Sequence, residues 1–112
     1  MALVVFRSKA AAEIYMFAET ALRLLQIIGK PESERGVIRA EEVADALNRL
    51  TAAVEQEKAE LRDERARREL DQRTGNAHDE RVVPITLGQR AFPLIEMLRA
   101  AQRKRVDVTW GV

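Results

Sequence analysis

The sequence predicts an α+β fold: a small antiparallel sheet, made of an N-terminal hairpin and the C-terminal strand, with three helices packed on one face. Three observations lead there. Apolar residues alternate at the start, in ALVVFRSK, and again at the end, in RVDVTWGV, which is the period of a half-buried strand. Between these ends the period lengthens to that of helices, with breaks at Gly29 to Pro31 and in QRTGNAHDER. The single tryptophan, in a chain of 112 residues with 4% aromatics, stands at Trp110, where a terminus would fray unless it were held.

The first strand places Val4, Phe6 and Ser8 on one side and Leu3, Val5, Arg7 and Lys9 on the other. The small residues Ala10 to Ala12 then lead to EIYMF, so residues 2–18 read as a hairpin, although its turn carries no Asn-Gly or Gly-X pair. In TALRLLQIIG, Thr20 is the expected N-cap and Gly29 the expected residue after the helix. Glu19, Arg23, Gln26 and Lys30 make one polar stripe, and Leu22, Leu24, Leu25, Ile27 and Ile28 cover the remaining circumference. So apolar a helix is expected to be buried on more than one side.

KPESERG reads as a loop and GVI as a short extended segment. The next helix has an apolar face of Val43, Leu47, Leu50 and Val54, which dissolves where Glu57, Lys58, Arg65 and Arg68 replace apolar groups and leave Leu61 and Leu70 isolated. Residues 56–72 are thus a solvated or a frayed helical extension, and residues 56–83 as a whole a charged extension and flexible loop inside one domain spanning residues 1–112. The last helix opens on the capping box TLGQ, Thr86 with Gln89, and buries Leu87, Ala91, Leu94, Ile95 and Leu98. Pro93 is expected to kink it or to move its start to Phe92. The closing strand puts Val106, Val108, Trp110 and Val112 on one face, an indole able to bury about 200 Å².

The chemistry available is narrow. Without cysteine there is no disulfide, thiol nucleophile or thiolate metal site, and a net charge of +1 from 19 basic and 18 acidic residues casts no strong field toward nucleic acid or membrane. The N-terminal apolar run is too short for a signal peptide or membrane span, so the expected compartment is the cytoplasm and no membrane partner is expected. Residues 31–42 lie over a calcium-loop pattern, with Gly36, Ile38 and Glu42 at the turn, apolar and bidentate positions. Pro31, Ser33 and Arg35 fall where ligating oxygens belong, so no calcium is expected. His78, the only histidine, sits beside Asp79 and Glu80, but consecutive residues rarely converge on one ion. No cofactor is expected. Glu41, Glu42 and Glu96 are not drawn together by any pattern, and an enzyme would require a pocket gathering Glu96, Arg99 and Tyr15.

The candidate anion-binding residues are Arg7, Lys9, Arg99, Arg103, Lys104 and Arg105. Cations in a last helical turn also complement the helix dipole, and no exposed aromatics interleave with them for base stacking. The preferred reading is a small non-catalytic binding or adaptor domain acting through protein–protein contact, with another protein or with itself. The alternative is anion or nucleic-acid binding through these local basic patches.

Three stretches, VVFRSKAAAEIYMF at the start, LLQIIGK with GVI and an acidic helix in the middle, and LGQRAFPLIEMLRAAQRKRVDVTWGV at the end, resemble a proteobacterial family known as domain of unknown function 1840. The resemblance spans nearly all of the chain outside residues 56–83, implies one compact domain, and carries no activity or catalytic residue. Arg39 departs from the expected Ser, Thr or Asp cap before the acidic helix.

Overall fold

The computed structural model describes residues 2–30, 35–72 and 86–111. Strand β1 (Leu3–Ser8) turns through Lys9 and Ala10 into β2 (Ala11–Phe17), and helix α1 (Ala18–Ile28) follows directly. Strand β3 (Gly36–Ile38) precedes a 3-10 turn (Ala40–Glu42) and helix α2 (Val43–Gln72), and α3 (Leu87–Lys104) and β4 (Val108–Trp110) complete the order. The sheet has four strands in the order β2-β1-β4-β3, every neighbour antiparallel. Chain head and tail are therefore adjacent, with Phe6 opposite Trp110 and Ser8 opposite Val108.

The helices cover one face of this sheet. Phe6, Ile38, Val108 and Trp110 point from the strands into a core completed by Leu24 and Leu25 of α1, Val43 and Leu50 of α2, and Leu94, Met97 and Leu98 of α3. Trp110 is 2% exposed and meets Phe6 at a ring separation of 6.3 Å and a tilt of 43°. The apolar faces expected of α2 and α3 are the ones buried, with Leu47 packed at the margin.

The structure settles points the sequence left open and corrects others. The hairpin turn has no glycine; instead the Ser8 hydroxyl accepts the Ala10 N–H at 3.2 Å and donates to the Asp107 carbonyl at 2.9 Å. Helix α1 starts at Ala18 rather than after Thr20, because the Ala18 N–H bonds the Ala2 carbonyl at 3.0 Å and the hairpin itself satisfies a donor that a cap would otherwise serve. Its buried face is Ala21, Leu24, Leu25 and Ile28, and Leu22 is 37% exposed, so burial is one-sided. GVI joins the sheet as its fourth strand. Pro93 lies inside α3 and does not move its start, which stays at Leu87 behind the Thr86 cap. Helix α2 is continuous to Gln72, and from Arg62 to Leu70 every residue is exposed, so this stretch is a solvated extension of a molecule 54 Å long. The loop expected from residue 73 onward, with His78, and Val112 at the end lie outside the described residues.

Candidate functional site

One face of the sheet is covered by helices, and the described residues leave the other open. Alternation along the strands sends Leu3, Val5 and Arg7 of β1 and Glu13, Tyr15 and Phe17 of β2 to the open side. Cross-strand register places Leu3 against Phe17 and Val5 against Tyr15. Among the described residues six large apolar side chains are exposed, and Tyr15 (62%), Leu3 (58%) and Phe17 (56%) stand together here. A polar rim closes the patch on one side: the Tyr15 hydroxyl donates to Glu13 Oε2 at 3.1 Å, and Arg7 Nε lies 3.6 Å from Glu13 Oε1.

The outer edge of β2 belongs to the same surface. The Ala18 N–H bonds Ala2 across the hairpin, and antiparallel alternation then turns the backbone groups of Ile14 and Met16 toward β1 and those of Tyr15 and Phe17 outward, up to a bulge on β2 between Ile14 and Ala11. On the helix side of β2, Ile14 and Met16 are only half-buried.

The six basic candidates do not form one patch. Arg7, Lys9 and Arg105 line an open cleft of about 850 Å³ between the hairpin turn and the α3–β4 junction, together with Ser8, Glu13 and Asp107. Arg99 lines a different cleft between α2 and α3 and lies 3.4 Å from Glu96 on its own helix. Arg103 and Lys104 occupy the last turn of α3, where they complement its dipole. Arg105 is the one non-glycine residue with positive φ (56°) among the described residues. Nor are Glu96, Arg99 and Tyr15 gathered: the first two pair on α3 in the helix layer, and Tyr15 stands on the open sheet face.

Two carboxylates that local pattern did not single out hold the architecture. Glu57, which in the sequence only interrupts the α2 face, accepts the Leu87 N–H at 2.7 Å at the start of α3, and its other oxygen lies 4.0 Å from Arg23 on α1. Asp107 Oδ1 accepts the Ala40 N–H at 2.7 Å. Glu42, the residue at the twelfth calcium-loop position, binds Lys30 Nζ at 2.8 Å and accepts the Arg39 N–H at 3.0 Å. The ammonium first, and then the backbone donor, hold its carboxyl below the ordinary carboxylate range. Its oxygens are thus committed to the chain itself.

Among the described residues no three His, Cys, Asp or Glu side chains converge on a possible metal position, and no helix is long and apolar enough to cross a membrane. No curated protein and no solved structure matches the chain. One family profile does, over residues 2–110, and with the head strand and the Trp110 strand both inside that span, the chain belongs to the family described as Domain of unknown function (DUF1840).

Proposed function

We propose that the chain is a non-catalytic protein-binding domain and that its binding surface is the open side of the β1–β2 hairpin. The observation that carries this reading is the cross-strand cluster of Leu3, Tyr15 and Phe17, each more than half exposed, on the one sheet face that no described helix covers. Contiguous apolar surface of this kind costs solubility unless a partner shields it, and a tyrosine beside a charged rim suits an interface that is apolar at its centre and polar at its margin. Immobilised wild-type chain and a Leu3→Ser/Tyr15→Ser double variant, matched for melting temperature, test the reading by the proteins each retains from a native lysate. Proteins held by the wild type and lost by the variant are expected; identical sets overturn it.

A second reading, anion binding, is favoured by one observation: Arg7, Lys9 and Arg105 surround a single cleft. It keeps three of the six basic candidates and no longer uses Arg99, Arg103 or Lys104. Retention on heparin that weakens with salt in the wild type, and is lost in a Lys9→Ser/Arg105→Gly variant, is its expected signature, because phosphate and sulfate contacts weaken as salt rises.

A further inference from the structure

We propose that the exposed end of α2 pairs antiparallel with the same stretch of a second copy of this chain, along the helix face formed by Ala59, Asp63, Ala66 and Leu70. The inference goes beyond the hairpin reading and uses none of its residues.

From Arg62 to Leu70 every residue of α2 is exposed, so the described residues supply no packing for this stretch. Helices in proteins are stabilised mainly by the packing of one face, and a helix end without it is held by local propensity alone. The core stripe of α2, with Val43, Leu50 and Val54 buried, continues only to the half-buried Leu61. Leu70 follows nine residues later, two and a half turns, and so stands on the opposite side of the helix, 62% exposed. Helices α1 and α3 pack on the core side and leave this outer face clear. Spacings of four, three and four residues align Ala59, Asp63, Ala66 and Leu70 along it.

The charges beside this stripe name the occupant. Glu60 and Arg67 border it on one flank, Arg62 and Glu69 on the other. Such flanking charges set partner and orientation when helices pair. In an antiparallel pair with Ala59 opposite Leu70 and Asp63 opposite Ala66 of the other copy, every flanking charge meets its opposite. Glu60 meets Arg67 and Arg62 meets Glu69, each contact made twice by the two-fold symmetry. Other arrangements fail. Sliding one helix by seven residues sets Glu60 against Glu60 and Arg62 against Arg62, or, in the other direction, Arg67 against Arg67 and Glu69 against Glu69. A parallel pair sets Arg62 against Arg67 and Glu55 against Glu60.

These charges are also uncommitted within the chain. The ion pairs of α2, Asp45 with Arg49, Glu55 with Lys58 and Glu57 with Arg23, all precede Glu60. Among the described residues no ion pair or side-chain hydrogen bond involves Arg62, Arg67 or Glu69, and Glu60 takes only a 3.5 Å contact from Gln56. The alanines let the second helix approach closely, and Leu70 of each copy covers Ala59 of the other. Asp63 faces the small Ala66, which leaves its carboxylate room to reach water beside Arg67, one turn further along its own helix.

Charge exchange tests both the surface and the register. Arg62→Glu and Glu69→Arg are each expected to weaken self-association at least about tenfold, because each turns two opposite-charge contacts into like-charge ones. Mixed in equal amounts, the two variants regain complementary contacts and are expected to form a heterodimer. The Arg62→Glu/Glu69→Arg double variant is expected to dimerise as the wild type does. Sedimentation velocity reads each sample, the wild type being expected to show a dimer fraction that rises with concentration. Circular dichroism and Trp110 fluorescence check that each variant is folded. A wild-type monomer at every concentration overturns the proposal, as do single variants that associate like the wild type, or a mixture and double variant that stay monomeric. Should either single variant fail to fold, Glu60→Arg and Arg67→Glu repeat the test on the other flank. The hairpin reading is decided separately by the lysate comparison, and Leu3→Ser/Tyr15→Ser is expected to dimerise like the wild type.

Discussion

Asp107 accepts a hydrogen bond from the Ala40 N–H at 2.7 Å, and so supplies from 67 residues away the helix-start acceptor that Arg39 cannot provide. Arg39 contributes an N–H to the same corner, taken by Glu42, but its guanidinium has no acceptor to offer. Because the Asp107 carbonyl also takes the Ser8 hydroxyl, this one residue ties β1, the approach to β4 and the start of α2 together. Asp107→Ala is expected to lower stability by about 1 kcal/mol, the usual value of an N-terminal helix cap. Asp107→Asn, which keeps the oxygen acceptor, is expected to lose less than half of that. Urea titration followed by Trp110 fluorescence distinguishes the two, and equal losses would show that charge rather than the hydrogen bond matters.

Gly36 lies opposite Trp110 in the β3–β4 register, and a Cβ added there would overlap the indole at Cζ2, Cη2 and Cε2. The glycine is needed for space, since the ring lies across the backbone of its neighbouring strand. Gly36→Ala is expected to destabilise by about 1–3 kcal/mol through overpacking. Trp110→Ala, which removes the ring and leaves a void, is expected to cost about 3–5 kcal/mol. The informative measurement is the double variant: with the indole gone the alanine no longer clashes, so Gly36→Ala/Trp110→Ala should be more stable than the sum of the single losses implies. Circular dichroism must follow this series, as the fluorophore is absent.

Glu42 provides a pH-dependent contribution whose sign is determined. Lys30 and the Arg39 N–H lower its carboxyl below the ordinary range, so the folded state binds that proton less readily than the unfolded chain. The stabilisation is therefore complete above the unfolded value and is lost as pH falls through the folded one. Glu42→Gln is expected to melt below the wild type at neutral pH, and the gap should close as the solution is acidified through and below the carboxylate range. A gap that is constant with pH would assign the effect to packing of the side chain.

What was legible in the chain was what is local. Thr86 and Gln89 are three residues apart, and their reciprocal cap could be named from TLGQ alone. Gly29, with φ of 90° and the Lys30 N–H bonded to the Leu25 carbonyl, ends α1 as its position before Pro31 suggested. The Trp110 strand was legible because its alternation is local too, and because an indole on the apolar side of a strand is stable only against a core. Contacts across sequence were not. Glu57 reads as an interruption of an apolar stripe until the start of α3, 30 residues on, is seen to need an acceptor. The place of β3 in the sheet could not be read from three residues that pair only with a strand at the other end of the chain. The candidate surface divides in the same way: the basic residues could be enumerated, but their separation into two clefts and a helix terminus depends on how far β1 and the end of α3 approach each other.

Arg105 closes α3 in the left-handed conformation, φ 56° and ψ 50°, with the Val106 N–H returning to the Ala101 carbonyl at 3.1 Å. Glycine is the usual occupant of this position, because a Cβ there crowds the backbone at a cost of about 1–2 kcal/mol. The geometry of the helix end demands the conformation whatever the side chain, since the chain must reverse within two residues to place Asp107 and Val108 against β1. Arg105→Gly is therefore expected to raise stability by about 1 kcal/mol despite removing a cation from beside a helix C-terminus, an exposed dipole interaction of smaller size. Arg105→Ala, which keeps the Cβ and loses only the guanidinium, separates the two contributions and is expected to fall at or slightly below the wild type. If Arg105→Gly is instead destabilising, the guanidinium holds the hairpin-turn cleft together, and the cleft shared with Arg7 and Lys9 becomes the more productive surface to pursue.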